Sequence, residues 1–540
     1  MQVYCARSGR GGTAPASVDR VWPSFRRPAA ASLAGMALTA MMLIGLLLGA
    51  GTAAAQDLNV RVERAISASK TGASKIGVCM IEVGSGRRLA SVGGDLALIP
   101  ASNQKLLTSG AALLVLGPDF VFRTEIQLEG TRLIVKGSGD PAFGDPKLLG
   151  EVDGQALTVD RLLEILAEAV KRAGVASVDE IVVDDRIFDR ELVHPTWPAA
   201  QLNRWYCAEV SGVNFHTNVL NVFVNPTTPG NAAGVRLQPH SPWLEIQNSS
   251  RTVTTGDNTT WVARPGDTNR FTLYGDVRYT SQVPVEVTVH EIPLYFGRLL
   301  AQALLGRGVA VGAARDAAMV AEAPVRTMGR DEPTDASASR RTLAVVTTHL
   351  SDILSRCNTD SQNLYAEALV KRVGHEVTGE PGSWSNGAAV MRMMLSERLG
   401  PAFASTTVIA DGSGMSRDNK VSPETIVRWL AMMAQQPNVG DAYVRSLATV
   451  GNGTLTRRFR EYKPRNTLYA KSGAIDGVRC LSGYVVHQES GRAVAFSVMC
   501  NELAGGDPSV NAMKLHEQIV QIADDWLTNQ TAQDATALGG

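Results

Sequence analysis

Hydrophobic and polar positions change texture three times along this chain. After residue 70 the stretch "KIGVCMIEVGSGRRLASVG" resolves into two short apolar runs around Gly84-Ser85-Gly86, which predicts a β-hairpin. "IPASNQKLLTSGAALLVLG" follows, and there Pro100-Ala101-Ser102 leads into apolar Leu106, Leu107, Ala111, Leu113 and Leu114 at helical spacing before Gly117-Pro118 ends the run. From about Phe122 to about Asp335 short alternating segments recur, among them "RTEIQLEG", "RLIVKGSGD", "DEIVVDD", "NVLNVFVNP", "RFTLYGDVRY" and "VEVTVHEI". One amphipathic helix interrupts them, "TVDRLLEILAEAVKRAG", capped by Thr158 and ended by Gly174, and a second from about Leu294 to Leu305 closes the block. The polar run "RDEPTDASASRR" then reads as a surface linker. Helical patterns dominate from "LSDILSRCN" to "PETIVRWLAMMAQQP", before strand-like "TLYAKSGA", "VRCLSGYVVH" and "RAVAFSVMCN" and a last helix, "VNAMKLHEQIVQIADDWLTN". Residues from Thr531 onward read as a frayed end.

Strands at both ends and helices between them predict one antiparallel sheet built from both ends, with a helical cluster beside it. The expected architecture is therefore α+β and multidomain. Residues 56–122 and 336–540 form the sheet-and-helix domain, and 123–335 form a large mostly-β insertion of two subdomains.

Composition narrows the picture. The 540 residues exceed one ordinary core, 44% of them are apolar and 19% charged, and 52 basic side chains balance 52 acidic ones. Nothing global points to nucleic acid. Residues 1–55 read as an export signal: Arg20, Arg26 and Arg27 precede an apolar run from Leu33 to Ala50, and Thr52-Ala53-Ala54-Ala55 predicts cleavage after Ala55. An uncleaved anchor is the competing reading, disfavoured by the small-residue site and the polar sequence after it. Export permits disulfides, yet Cys79, Cys207, Cys357, Cys480 and Cys500 are an odd, sparse set rather than a framework. Cys480 and Cys500 flank Glu489-Ser490-Gly491 evenly and could face each other across two strands, but small buried residues are the simpler reading. His290-Glu291 lacks the second histidine of a zinc motif and is better read as a strand histidine, so no metal and no cofactor are expected. Met391, Met393 and Met394 read as core.

Three short patterns carry chemistry, and each occurs twice. Ser-x-x-Lys stands at Ser67/Lys70 and Ser102/Lys105. A serine becomes a nucleophile when a base takes its proton, and a lysine one helical turn later lies on the same face. Ser102 opens a helix whose apolar face can hold Lys105 dry, and helix N–H groups there favour a developing oxyanion. Ser67 has no such setting. Ser-x-Asn stands at Ser361/Asn363, on a loop entering a helix, and at Ser509/Asn511, which reads as the N-cap of the last helix. Lys-[Ser/Thr]-Gly stands at Lys70-Thr71-Gly72, suited to a helix C-terminus, and at Lys471-Ser472-Gly473 on a strand. On a strand edge the latter offers an ammonium and a hydroxyl to a carboxylate, and a glycine that lets a backbone approach. Ser102, Ser361 and Lys471 fall in that order along the chain.

These blocks resemble the class C low-molecular-mass penicillin-binding proteins, the D-alanyl-D-alanine carboxypeptidase/endopeptidase family. The resemblance rests on "PASNQKLLT", "SQNLYAEALVK", "DGSGMSRDNKVSP", "NGTLTRRF" and "AKSGAIDGVRCLSGYV", and on "GSGDPAF", "VVDDRIFD" and "WYCAEVSGVNFHTN" within the insertion. It covers essentially the whole mature chain and implies a penicillin-recognising serine transpeptidase-like fold in the periplasm. It further implies acyl transfer on peptidoglycan stem peptides: Ser102 as nucleophile, Lys105 as general base, Ser361 and Lys471 as proton relay, and Asn363 holding the acyl chain. Ser102 and Ala474 would supply the oxyanion N–H groups, Lys471 and Ser472 would bind the terminal carboxylate, Gly473 completes the strand motif, and β-lactams would be trapped at Ser102. Lys-Ser-Gly replaces the common Lys-Thr-Gly and keeps the hydroxyl. Trp197-Pro198 is followed by Ala199-Ala200-Gln201, so the acidic side-chain reader of some relatives is missing. A β-lactamase and a catalytically idle peptidoglycan-binding protein are the alternatives, disfavoured by the insertion and by the intact motif trio respectively. Peripheral membrane association, oligomeric state, and the balance of carboxypeptidase and endopeptidase activity stay open.

Overall fold

The computed structural model describes residues 2–5, 57–152, 155–333 and 340–539. The expected leader run and its cleavage point, Leu33 to Ala55, lie outside the described residues, as does half of the expected linker, residues 334–339. Among the described residues no helix is long and apolar enough to cross a membrane. The chain falls into two compact units, one comprising 57–118, Leu354–Gln362 and Ala388–Gly540, the other residues 2–5, Asp119–Ile353 and Asn363–Gly387.

The first unit is built on a five-stranded sheet of β1 (Lys75–Glu82), β2 (Arg88–Val92), β3 (Thr467–Ile475), β4 (Val478–Val486) and β5 (Ala493–Asn501). Its order is β3-β4-β5-β1-β2 and every pairing is antiparallel, so strands from both ends of the chain do form one sheet. β5 is buried along its whole length because both faces are covered. Val494, Phe496, Val498 and Cys500 share a core with Leu515, Ile519 and Leu527 of the last helix. The other face meets α1 (Gln104–Leu116) and α2 (Pro423–Ala434): Tyr484 donates to the Leu430 carbonyl at 2.7 Å, and Trp429 to the Leu106 carbonyl at 3.0 Å. α1 approaches closely because residue 110 is glycine, where a Cβ would sit 2.7 Å from the Trp429 indole nitrogen.

Cys480 and Cys500 are buried and not disulfide-bonded, as the simpler reading has it, while other expectations change. Cys480 pairs with Met499 and Arg479 with Cys500, one residue off the symmetric register, so the two cysteines lie on opposite faces and none of the five forms a disulfide. Cys480 Sγ lies 3.7 Å from the Ile99 carbonyl, while Cys500 Sγ lies 4.0 Å from His516. The last helix runs from Asp507 to Gly539, so Ser509 sits inside its first turn rather than capping it, and the helix does not stop at Thr531. Met391 and Met394 are buried as expected, but Met393 is 45% exposed.

The second unit holds the mostly-β region. A six-stranded sheet includes Val121–Glu129, Arg132–Lys136 and Glu180–Asp184, with Arg340–His349 antiparallel to Val121–Glu129 and the short edge Gln2–Cys5 beyond it. Helix Val159–Arg172 is capped by Thr158, whose hydroxyl accepts the Arg161 N–H at 3.1 Å. With Ile292–Gly306 it shares the apolar core of this unit, and two three-stranded sheets complete it. His290 lies in a bend just past strand Val285–Thr288 rather than on it, bonded through Nδ1 to Glu209 at 2.6 Å.

Candidate active site

Ser102 sits in the short 3-10 turn Ala101–Asn103 that feeds directly into α1. Three residues of helical backbone bring Lys105 to the same face, and its Nζ donates to Ser102 Oγ at 3.0 Å. The lysine is fully buried. A second bond fixes its amine, to the Ser413 carbonyl at 3.0 Å, while Thr108 donates to the Gly412 carbonyl at 2.7 Å. The loop Asp411-Gly412-Ser413-Gly414 is thus a wall of the site. Asp411 holds it in shape by accepting the N–H groups of Gly414 at 2.8 Å and Ser416 at 2.6 Å, and the Asn419 amide at 2.8 Å. Gly414, at φ 83°, is required there, because a Cβ would fall 1.8 Å from the Ala101 carbonyl oxygen. Ala101 itself takes φ 46°, a left-handed conformation that alanine rarely adopts, so the turn presenting Ser102 is strained and held by its neighbours.

Lys471 comes from β3, the edge strand, opposite Ser482 of β4. It is fully buried, with Nζ donating to the Ser472 carbonyl at 2.9 Å. Burial first, and then the charge of Lys105, push its amine well below the usual lysine range; Cys357 and Asp360 pull weakly the other way. Two buried amines therefore share one site. Ala470 turns its own N–H and C=O outward to Ala448, at 2.8 and 3.1 Å, so by alternation Ser472 and Ala474 also turn their peptide groups to the free edge of β3. Gly473 faces the nucleophile's turn: a Cβ there would lie 2.7 Å from the Pro100 carbonyl and 3.1 Å from the Ser102 nitrogen. The close approach this glycine permits is that of the strand to the Ser102 turn, not only that of a substrate. Ser472 alternates to the face opposite Lys471, so its hydroxyl reaches a ligand only around the strand edge.

Ser361 follows helix Leu350–Asn358 with φ 63°, next to Asp360, which is paired with Arg356. Asn358 anchors this segment by donating to Ser109 of α1 at 3.1 Å and to Ser446 at 2.8 Å. Asn363 begins helix Asn363–Thr378 in the other unit, where its amide donates to the Tyr206 carbonyl at 2.8 Å. Sequence patterns missed Asn103, which donates to Ser482 Oγ at 2.6 Å and so ties the nucleophile's turn to β4; Ser482 in turn donates to Ser497 at 2.8 Å. They also missed Asn358. No spacing marks either residue, since each acts through a partner more than 80 positions away.

The competing patterns resolve structurally. Residues 57–68 are helical, and Lys70 and Gly72, at φ 52° and 72°, turn the chain out of that helix toward β1. Asn511 donates to the Lys70 carbonyl at 3.1 Å, so this second set of spellings meets in a structural turn.

Residues 58–525 match the sequence profile of the D-Ala-D-Ala carboxypeptidase 3 (S13) family. The chain belongs to that family. As an S13 member it is a serine hydrolase of the D-Ala-D-Ala carboxypeptidase class. It is 32% identical over 502 residues to a D-alanyl-D-alanine carboxypeptidase of Actinomadura sp. (strain R39), covering 89% of this chain and 88% of that one. A D-alanyl-D-alanine carboxypeptidase of Haemophilus influenzae is 22% identical over 453 residues, 80% of this chain and 87% of that one. The crystal structure of penicillin binding protein 4 from H. influenzae shares the fold, with a TM-score of 0.67 at 22% identity over 85% of this chain and 99% of that one. Among the described residues no cluster of histidine, cysteine and acidic side chains could hold a metal ion.

Proposed function

We propose that this S13 enzyme cleaves D-alanyl-D-alanine-type bonds in peptidoglycan stem peptides, as carboxypeptidase or endopeptidase, through an acyl-enzyme on Ser102. The observation that carries the reading is the 3.0 Å bond between Ser102 Oγ and the buried amine of Lys105. Ser102 Oγ attacks the carbonyl carbon of the penultimate D-alanine while Lys105 accepts its proton. The oxyanion takes N–H groups from Ser102 and Ala474, where one such donor is worth about 3 kcal/mol. The peptide C–N bond then breaks, and the proton held by Lys105 is relayed through Ser361 and Lys471 to the departing amine, which leaves as D-alanine or as the released peptide. Asn363 holds the acyl chain, and Lys471, helped by Ser472 at the strand edge, meets the terminal carboxylate. Water hydrolyses the ester and restores the serine. A β-lactam acylates the same oxygen; the H. influenzae penicillin binding protein 4 has been crystallised in complex with a novel β-lactam. We place the enzyme in the periplasm, with the leader removed after Ala55 and peripheral membrane contact allowed.

Incubating the mature protein with a stem pentapeptide should release D-alanine, and purified cross-linked muropeptides should report the endopeptidase share. A protein that a fluorescent penicillin labels but that releases nothing from either substrate would instead be a binding protein.

A further inference from the structure

The second unit carries an aromatic platform outside the machinery described so far. In its sheet of Ile246–Thr252, Phe271–Val277 and Trp261–Ala263, alternate residues Phe271, Leu273, Val277 and Val262 enter the core. The opposite face turns outward. There Trp261 and Tyr274, cross-strand partners, stack at 4.6 Å with 19° between their planes, yet remain 47% and 37% exposed. Each ring covers part of the other, and the remaining apolar ring surface of both lies in water. Beside Tyr274 in register stand Ser249 and, one pair along, Gln247 with Thr272. The charged side chains of the same rows, Arg251 and Asp276, neutralise each other at 3.1 Å.

We infer that this face binds the glycan strand of peptidoglycan, a neutral chain of N-acetylated hexopyranoses. A pyranose offers a C–H face to an aromatic ring and hydroxyl and amide edges to neutral donors and acceptors. The face matches that alternation and carries no net charge for an anionic partner. Strand backbone rather than loop holds the rings, as a rigid sugar platform requires. The inference rests on the proposed peptidoglycan substrate for the identity of the sugar. It adds that the enzyme grips the polymer by its sugars as well as by its peptide, so Trp261 should matter for whole sacculi and not for small peptides.

The test uses the mature enzyme and tetra-N-acetylchitotetraose, a soluble neutral probe of the same linkage class, followed by calorimetry or ligand-observed NMR. Wild type and Ser102→Ala should bind it equally, Trp261→Ala at least five-fold more weakly, and Trp261→Phe in between. D-alanine release from a soluble pentapeptide should be unchanged in Trp261→Ala, while release from intact sacculi should fall at least three-fold. Equal binding by Trp261→Ala, or no saturable binding by wild type, overturns the proposal. A concentration-dependent dimer that Trp261→Ala abolishes also overturns it, by assigning the face to a second copy. If Ser102 proves not to be acylated, the catalytic reading fails while the sugar titration still stands or falls on its own.

Discussion

At the scale of single residues, the site is defined by two buried amines, Lys105 and Lys471. Desolvation and the nearby Lys105 charge disfavour protonated Lys471, so the native state holds fewer protons than the unfolded chain wherever the pH lies between the lowered native value and the ordinary lysine value. Stability from this group is complete only above the ordinary lysine range and is lost as pH falls. Lys471→Met should therefore raise the melting temperature at pH 7 and lose that advantage above about pH 10.5. The same substitution should lower D-alanine release at least a hundred-fold, since the proposed carboxylate contact and proton relay go with it. Calorimetry at two pH values and an amino-acid release assay check both halves. Lower stability of the Met variant at pH 7 would mean that the amine is favourably paired there.

At the scale of elements, catalysis depends on how closely β3 approaches the turn that carries Ser102. Gly473 sets that approach, since a methyl group would press on the Pro100 carbonyl and the Ser102 nitrogen. Gly473→Ala should slow penicillin acylation at least ten-fold while costing about 1–3 kcal/mol of stability, the usual penalty of overpacking. Stopped-flow labelling and urea unfolding separate the two. The sequence made part of this legible. Ser102/Lys105 could be read because helix geometry converts a three-residue spacing into contact, and Lys471 because an apolar run marked a strand. The Gly473 contact could not be read, because it joins residues that only the fold brings together. Cys480 and Cys500 show the same limit: their facing turned on a one-residue register that no local pattern fixes. Strand Arg340–His349 was hidden for a similar reason, as its partner Val121–Glu129 lies more than 200 positions earlier.

At the scale of the whole molecule, the stability of the second unit should itself depend on pH. Asp140 is buried, accepts Thr348 Oγ1 at 2.7 Å and the Ala142 N–H at 2.8 Å, and burial raises its carboxyl to about 6. The native state thus holds the proton more tightly than the unfolded chain, and stability falls as pH rises from about 4 through 6, by about 3 kcal/mol. Asp140→Asn keeps a carbonyl acceptor for the Ala142 N–H and offers an amide N–H that the Thr348 hydroxyl can accept, and it should flatten that slope, melting higher than wild type at pH 7.5 and not at pH 4. An unchanged slope would place the titrating group elsewhere. The architecture that frames these effects, a sheet from both chain ends interrupted by a large insertion, followed from strand-like runs at the two ends. Where the units divide did not, since Arg340–His349 and Asn363–Thr378 belong with the insertion only through tertiary packing.

The central claim is that Ser102 is the acylated nucleophile. Intact-protein mass spectrometry after incubation with benzylpenicillin should show one covalent adduct per mature chain, mapped by proteolysis to the peptide containing Ser102 and Lys105, and none in Ser102→Ala. An adduct that persists in Ser102→Ala, or one that maps to another serine, would contradict it.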